Sequence, residues 1–158
     1  NPDFRPDALK IYPCMVIKGT ELFDLWKKGK FVPLQTKKAA MLIASAKRFV
    51  PKYVRIMRVQ RDIPTNVTVA GVDRTNLRQY VEQLLKEKKQ ECRCIRCREP
   101  RNKEIDFKSI KILTQYYEAS KGSEVFISAE EIQGITNNAS DKRKALLNIA
   151  YPFSDQLI

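Results

Sequence analysis

The chain has no histidine among its 158 residues. That excludes histidine as a general base, Ser–His and Cys–His nucleophile pairs, and every zinc site that mixes cysteine with histidine. Glycine is scarce: there are five, and none clusters into a loop of the kind that cradles a phosphate. No apolar run approaches the ~20 residues that cross a bilayer. The first thirty residues lack the basic, apolar and small-residue sections of a secretory signal. Between Asp24 and Asp62 there is no acidic residue at all.

What is present is a globular composition, 43% hydrophobic and 30% charged, with a net charge of +12. A surplus that large repels itself unless a polyanion or an acidic partner lies against it. Nucleic acid is the leading candidate and a membrane surface the second. The acid-free stretch holds Lys27, Lys28, Lys30, Lys37, Lys38, Lys47, Arg48, Lys52, Arg55, Arg58 and Arg61. Eleven cations without a carboxylate among them do not make a salt-bridged helix face. A second basic concentration runs from Arg93 to Arg101. Lys47, Arg48, Lys52, Arg55, Arg58, Arg61, Arg96 and Arg98 are the candidate RNA contacts, giving affinity and salt dependence rather than sequence choice. Phe49, Tyr53 and Tyr80 lie among them and could stack on bases, although core packing accounts for these aromatics at least as well.

Along the chain, Leu9–Ile17 reads as a buried strand with a bulge at Pro13. Residues 21–28 read as a short helix closed near Gly29. Thr36 is placed as the N-cap of a helix over 37–49, with Met41, Leu42, Ala46 and Phe49 as its apolar stripe. Residues 53–59 form a second strand. Asp73 or Thr75 caps a helix reaching about Lys89, with Leu77, Tyr80, Val81, Leu84 and Leu85 on one face. This order suggests βα units of a parallel sheet or barrel. Near residue 90 the pattern changes. Residues 110–117 and 124–128 flank Lys121-Gly122-Ser123 and suggest an antiparallel hairpin.

The pattern change coincides with E-C-R-C-I-R-C-R-E at 91–99. Its spacing is C-x-C-x2-C, and thiolates held this closely can converge on one soft cation, above all Zn2+. Arg93, Arg96 and Arg98 favour the thiolate form. Cys92, Cys94 and Cys97 are thus the candidate metal ligands. The fourth position falls to Cys14, to Glu91 or Glu99, to water, or to a group outside the sequence. The alternative is three unligated thiols in a surface loop. Lone Cys14 reads first as a small core residue of its strand.

Several blocks carry a family resemblance: L-K-I-Y-P at 9–13, G-T-E-L-F-D-L-W-K-K-G at 19–29, R-I-M-R-V-Q-R-D-I-P at 55–64, A-G-V at 70–72, N-L-R at 76–78 and C-R-C-I-R-C-R-E at 92–99. In order and spacing they resemble the catalytic subunit of Elongator (elongator complex protein 3), of archaeal or bacterial type. The resemblance covers residues 1–131. It implies an α/β fold: the C-terminal part of a radical SAM, partial TIM-type barrel over 1–90, then a small zinc-containing linker with a β-hairpin over 91–131. Residues 132–158 are an unassigned tail. It further implies a cytoplasmic tRNA-modifying acetyltransferase acting at C5 of wobble uridine 34. Zinc would be held by Cys92, Cys94 and Cys97, with Arg58, Gln60 and Arg61 near the barrel mouth. A [4Fe-4S] cluster, S-adenosylmethionine and acetyl-CoA would bind elsewhere in a longer polypeptide, whose other parts are the expected partners beside tRNA. The chain starts at Asn1 rather than Met and carries neither a C-x3-C-x2-C motif nor a Gly-rich pyrophosphate loop. It therefore reads as an internal piece, inactive alone. Two other readings stand beside this one: an autonomous zinc-containing RNA-binding module, and a scaffold bridging two domains.

Overall fold

A computed structural model describes residues 1–102, 104–132 and 144–152, with Thr65 and 144–152 described by their backbone alone. Two compact units emerge. The first comprises Asn1–Ala8, Pro51–Arg55 and Cys94–Ile158; the second comprises Leu9–Val50 and Ile56–Arg93.

The expected single strand over 9–17 is two. β1 spans Ala8–Lys10 and β2 spans Val16–Ile17. Pro13 lies between them, where it has no N–H to offer a ladder. β1 pairs with β3, Arg55–Arg58. Arg55 N donates to Asp7 O at 2.7 Å and Ile11 N to Arg58 O at 2.9 Å, so the two run parallel. β2 pairs antiparallel with β4, Thr68–Ala70. Cys14 falls in the connection and is exposed rather than core. Gly71, in the A-G-V block, has φ +110°, and a Cβ there would stand 3.1 Å from Cys14 O. The approach of the two backbones and the positive φ make any larger residue strained there.

α1 spans Glu21–Lys27, with Thr20 Oγ1 accepting from Phe23 N. It ends in a left-handed turn at Gly29, φ +67°. Gly29 N donates to Trp26 O and Lys30 N to Leu25 O, both at 2.9 Å, which closes the last carbonyls. α2 spans Thr36–Lys47, with Gln35 at its N-cap. Thr36 does not cap it. Its hydroxyl donates to Asp73 Oδ1 and accepts from Asp73 N at 3.2 Å. This bond also holds the Asp73 carboxyl below its usual range and removes Asp73 as a helix cap.

The apolar stripe of α2 is the reverse of the expected one. Ala39, Ala40, Ile43, Ala44 and Lys47 are buried, whereas Met41, Leu42 and Phe49 are exposed. The outer face mixes Met41 and Leu42 with Lys37, Lys38 and Ser45. The alanine face lets a neighbouring helix come close, and α2 packs there on α3, Leu77–Glu87. Leu77, Val81 and Leu85 form the buried line of α3, four residues apart; Tyr80 stays exposed.

In the first unit, β5 (Ile110–Ala119) and β6 (Gly122–Glu131) pair antiparallel along their whole length, and β7 (Lys144–Pro152) pairs on the other edge of β6. The tail thus contributes a third strand that the sequence pattern did not assign. The β5–β6 connection is Ser120-Lys121, both left-handed at φ 49° and 66°, and Gly122 belongs to β6. Two central residues with positive φ match the right-handed twist of the strands but strain any residue with a Cβ. Ser120→Asn with Lys121→Gly is expected to raise stability by about 1 kcal/mol, seen as a higher urea midpoint; no gain would argue against this turn. On the inner face Tyr53 stacks on Tyr117, centroids 3.8 Å apart and planes 6° from parallel, with Phe126 edge-on to Tyr53. Burial raises the pKa of both phenols. Tyr53 is therefore a core residue, not a base-stacking platform.

Candidate metal centre and basic surface

Cys94 is the N-cap of α4, a single turn over Ile95–Arg98, with φ −63° and ψ 155°. Cys97 N donates back to Cys94 O at 3.0 Å. That turn brings the two side chains to one side, and Cys92 reaches them from two residues upstream. The Sγ atoms of Cys92, Cys94 and Cys97 all lie within 4.8 Å of one another. Around a tetrahedral zinc with Zn–S of about 2.3 Å, sulfurs stand roughly 3.8 Å apart. The cluster therefore fits a metal after a closure of at most about an ångström, and thiolate is the donor class that zinc prefers. Cys94 is buried, Cys92 half-buried and Cys97 exposed.

Among the described residues no carboxylate joins the three sulfurs, and neither does Cys14. Glu99, a sequence candidate for the fourth position, is engaged elsewhere. Its Oε1 pairs with Arg55 Nη1 and its Oε2 lies 3.7 Å from Arg96 Nη1.

The candidate RNA contacts divide sharply. Lys47 is fully buried on α2 and cannot present its ammonium to a phosphate. Arg98 is also withdrawn. It donates through Nη1 to Glu130 Oε1 at 2.6 Å and through Nη2 to Lys52 O at 2.9 Å. Both residues are corrections to the sequence reading: their charges lie in the interior, not on a surface. Arg55 and Arg96 are shared with Glu99, and Lys52 is half-buried. Arg48, Arg58 and Arg61 remain exposed. Arg48 covers the exposed ring of Phe49, 4.5 Å from its centroid, and Arg58 pairs with Asp62. β3 ends at Arg58, and Arg61 lies beyond it.

Arg58, Gln60, Arg61 and Asp62 line a cavity of about 470 Å3, together with Thr75 and Arg78. Arg78 was not a candidate from its sequence context. Its Nη2 donates to Ile56 O and Met57 O at 3.3 and 3.4 Å, which ties the start of α3 to the end of β3. A signal was available: a cation in the first turn of a helix opposes the macrodipole, so such a residue tends to have a separate task.

A family model, the radical SAM C-terminal domain, matches residues 6–87, just over half of the chain. The chain belongs to the radical SAM C-terminal domain family. It is 48% identical over 139 residues to a tRNA uridine(34) acetyltransferase of Methanocaldococcus infernus, covering 84% of this chain and 26% of that protein. It is 40% identical over 135 residues to Elongator complex protein 3 of Saccharomyces cerevisiae, covering 83% and 24%. The solved structure of the archaeal Methanocaldococcus infernus Elp3 with an N-terminal deletion (1–46) superimposes with a TM-score of 0.78 at 47% identity, over 83% of this chain and 32% of that one. The likeness to Elongator catalytic subunits read from the sequence blocks therefore holds, and the chain spans about a quarter of the length of these curated relatives.

The radical SAM family is one of S-adenosylmethionine and an iron–sulfur cluster. The four cysteines of this chain do not supply the C-x3-C-x2-C ligand set for such a cluster. No helix of the described residues is long and apolar enough to cross a membrane.

Proposed function

We propose that this chain is part of a tRNA-modifying acyltransferase of Elongator type. Residues 1–90 supply the end of its radical SAM barrel, 91–131 a zinc-bearing linker and the following strands, and 132–158 a tail of unassigned role. The whole enzyme would use acetyl-CoA to build a carboxymethyl-type group at C5 of wobble uridine 34, in the cytoplasm. S-adenosylmethionine and a [4Fe-4S] cluster would be held by other parts of the same polypeptide. The observation that carries this reading is the 48% identity to a tRNA uridine(34) acetyltransferase across most of the chain.

The contribution of this chain is twofold. Cys92, Cys94 and Cys97 would hold zinc in a structural role, with Arg93 and Arg96 offsetting the negative charge of three thiolates. Exposed cations, with Arg48, Arg58 and Arg61 foremost, would hold the tRNA backbone. Lys52, Arg55 and Arg96 would be secondary contacts, since burial or Glu99 limits their freedom.

In the full-length protein, Arg48→Glu, Arg58→Glu and Arg61→Glu together are expected to weaken tRNA binding at least tenfold. The slope of log affinity against log salt should fall by roughly two to three, as expected for about three lost phosphate contacts. Filter binding across a salt series measures both. Unchanged affinity and slope would reject the RNA-facing role.

A further inference from the structure

α4 is one turn long, and a single turn is not stable by itself in water. It nevertheless carries two of the three thiols of the cluster. Its turn is closed by Cys97 N and Arg98 N donating to Cys94 O at 3.0 and 3.3 Å, and by Glu99 N donating to Ile95 O at 3.1 Å. Further groups that hold it are supplied from elsewhere in the same unit. Ile95 is buried and its N–H donates to Val54 O at 3.0 Å. Arg98, the residue after Cys97, places its guanidinium between Glu130 Oε1 and Lys52 O. Ser128 Oγ donates to the same Glu130 oxygen at 2.9 Å. The Arg98 and Glu130 side chains are 8% and 2% exposed. Glu130 stands on β6, which is paired to β5 from end to end.

We propose that the buried Arg98–Glu130 ion pair is a positioning device for the metal site. It orders Cys94 and Cys97 before any metal arrives. A buried guanidinium must find its carboxylate, because an unpaired charge in the interior is strongly unfavourable. Two bonds from one guanidinium, to Glu130 and to the Lys52 carbonyl, restrain the rotation of α4 and with it the directions of both thiols. Metal binding to a preordered turn does not bear the entropy of forming it, so affinity is higher than for the same cysteines on a free loop. Arg98 and Glu130 touch no metal in this role; they act through the backbone of α4. Outer partners that orient metal ligands typically contribute 10–100-fold in affinity.

This inference rests on the reading that the cysteines bind a metal. The test uses the purified protein, unsubstituted and as Glu130→Gln and Arg98→Lys, titrated with zinc against a chromogenic chelator and with cobalt(II) by absorption. Glu130→Gln keeps shape and loses charge; Arg98→Lys keeps charge and loses the two-armed geometry. Zinc affinity should fall about 10–100-fold in both, with altered cobalt–thiolate bands. A variant that loses thermal stability in the metal-free state but keeps full affinity and an unchanged cobalt spectrum would overturn the proposal. Hydrogen exchange on the metal-free unsubstituted protein gives an answer that needs no variant. The amides of Cys97, Arg98 and Glu99 should already be protected; free exchange there would overturn preordering. No cobalt binding by the unsubstituted protein would instead reject the metal reading itself.

Discussion

Cys94→Ser is expected to abolish stoichiometric zinc and to lower the unfolding temperature by roughly 8–16 °C. Cys94 is the buried member of the cluster and caps α4. Serine keeps the volume within one atom but offers a poor zinc donor, so the loss is of ligation rather than packing. A metal that binds only the folded chain stabilises it by RT ln(1 + [L]/Kd), about 4 kcal/mol at a thousandfold excess over Kd. For a chain of this size each kcal/mol moves the midpoint by roughly 2–4 °C, which gives the stated range. Metal analysis by mass spectrometry and calorimetry with and without a chelator measure the two quantities. The chelator should move the unsubstituted protein to the midpoint of the variant and leave the variant where it was. If the chelator moves neither, or if Cys94→Ser retains zinc, the three thiols are not a metal centre.

Arg98→Met is expected to cost about 3–5 kcal/mol. The substitution leaves the Glu130 carboxylate in the interior without its cation. Glu130 Oε2 already lacks a hydrogen-bond partner among the described residues, and Ser128 alone cannot satisfy Oε1. The Lys52 carbonyl also loses its Arg98 donor. Removing both charges is a different matter. Arg98→Met with Glu130→Leu fills the same space with apolar atoms, and buried ion pairs replaced in this way are often neutral. The double variant should therefore recover most of the loss, although its metal affinity should stay low if the pair positions α4. Urea unfolding of the two single variants and the double one closes a mutant cycle. A cost below about 1 kcal/mol for Arg98→Met, the range of an exposed pair, would show that the pair is not buried in solution.

Several features were legible in the residues alone. The thiol cluster is the clearest. Six consecutive residues span at most about 20 Å when extended, and one helical turn inside them suffices to bring three sulfurs together. The end of α1 was legible for the same reason, since Gly29 supplies a left-handed residue where the turn needs one. The family blocks needed no structure either, because block order and spacing are properties of the chain.

The faces of α2 were not legible. Met41, Leu42 and Phe49 are larger and more apolar than Ala39, Ala40 and Ala44, so side-chain hydrophobicity points to the wrong side. The choice was made by α3, some thirty residues away, which packs closest where the side chains are small. The hairpin turn was displaced by a similar competition. Gly122 is the residue that tolerates a turn best, but the register of ten paired positions puts Ser120 and Lys121 at its centre.

Sequence alone determined the thiol cluster, the family and the excess of positive charge, because each is written in short stretches of chain. Tertiary structure decided which of those charges face water. Lys47 and Arg98 are basic residues among basic neighbours, indistinguishable by type from Arg48 and Arg61. Burial of one set and exposure of the other depends on partners distant in the chain, Glu130 for Arg98 above all, and on the packing of whole helices. Interior placement reflects the free energy of the assembled fold, where a paired charge can be accommodated; local sequence carries no term for a carboxylate thirty-two positions further on.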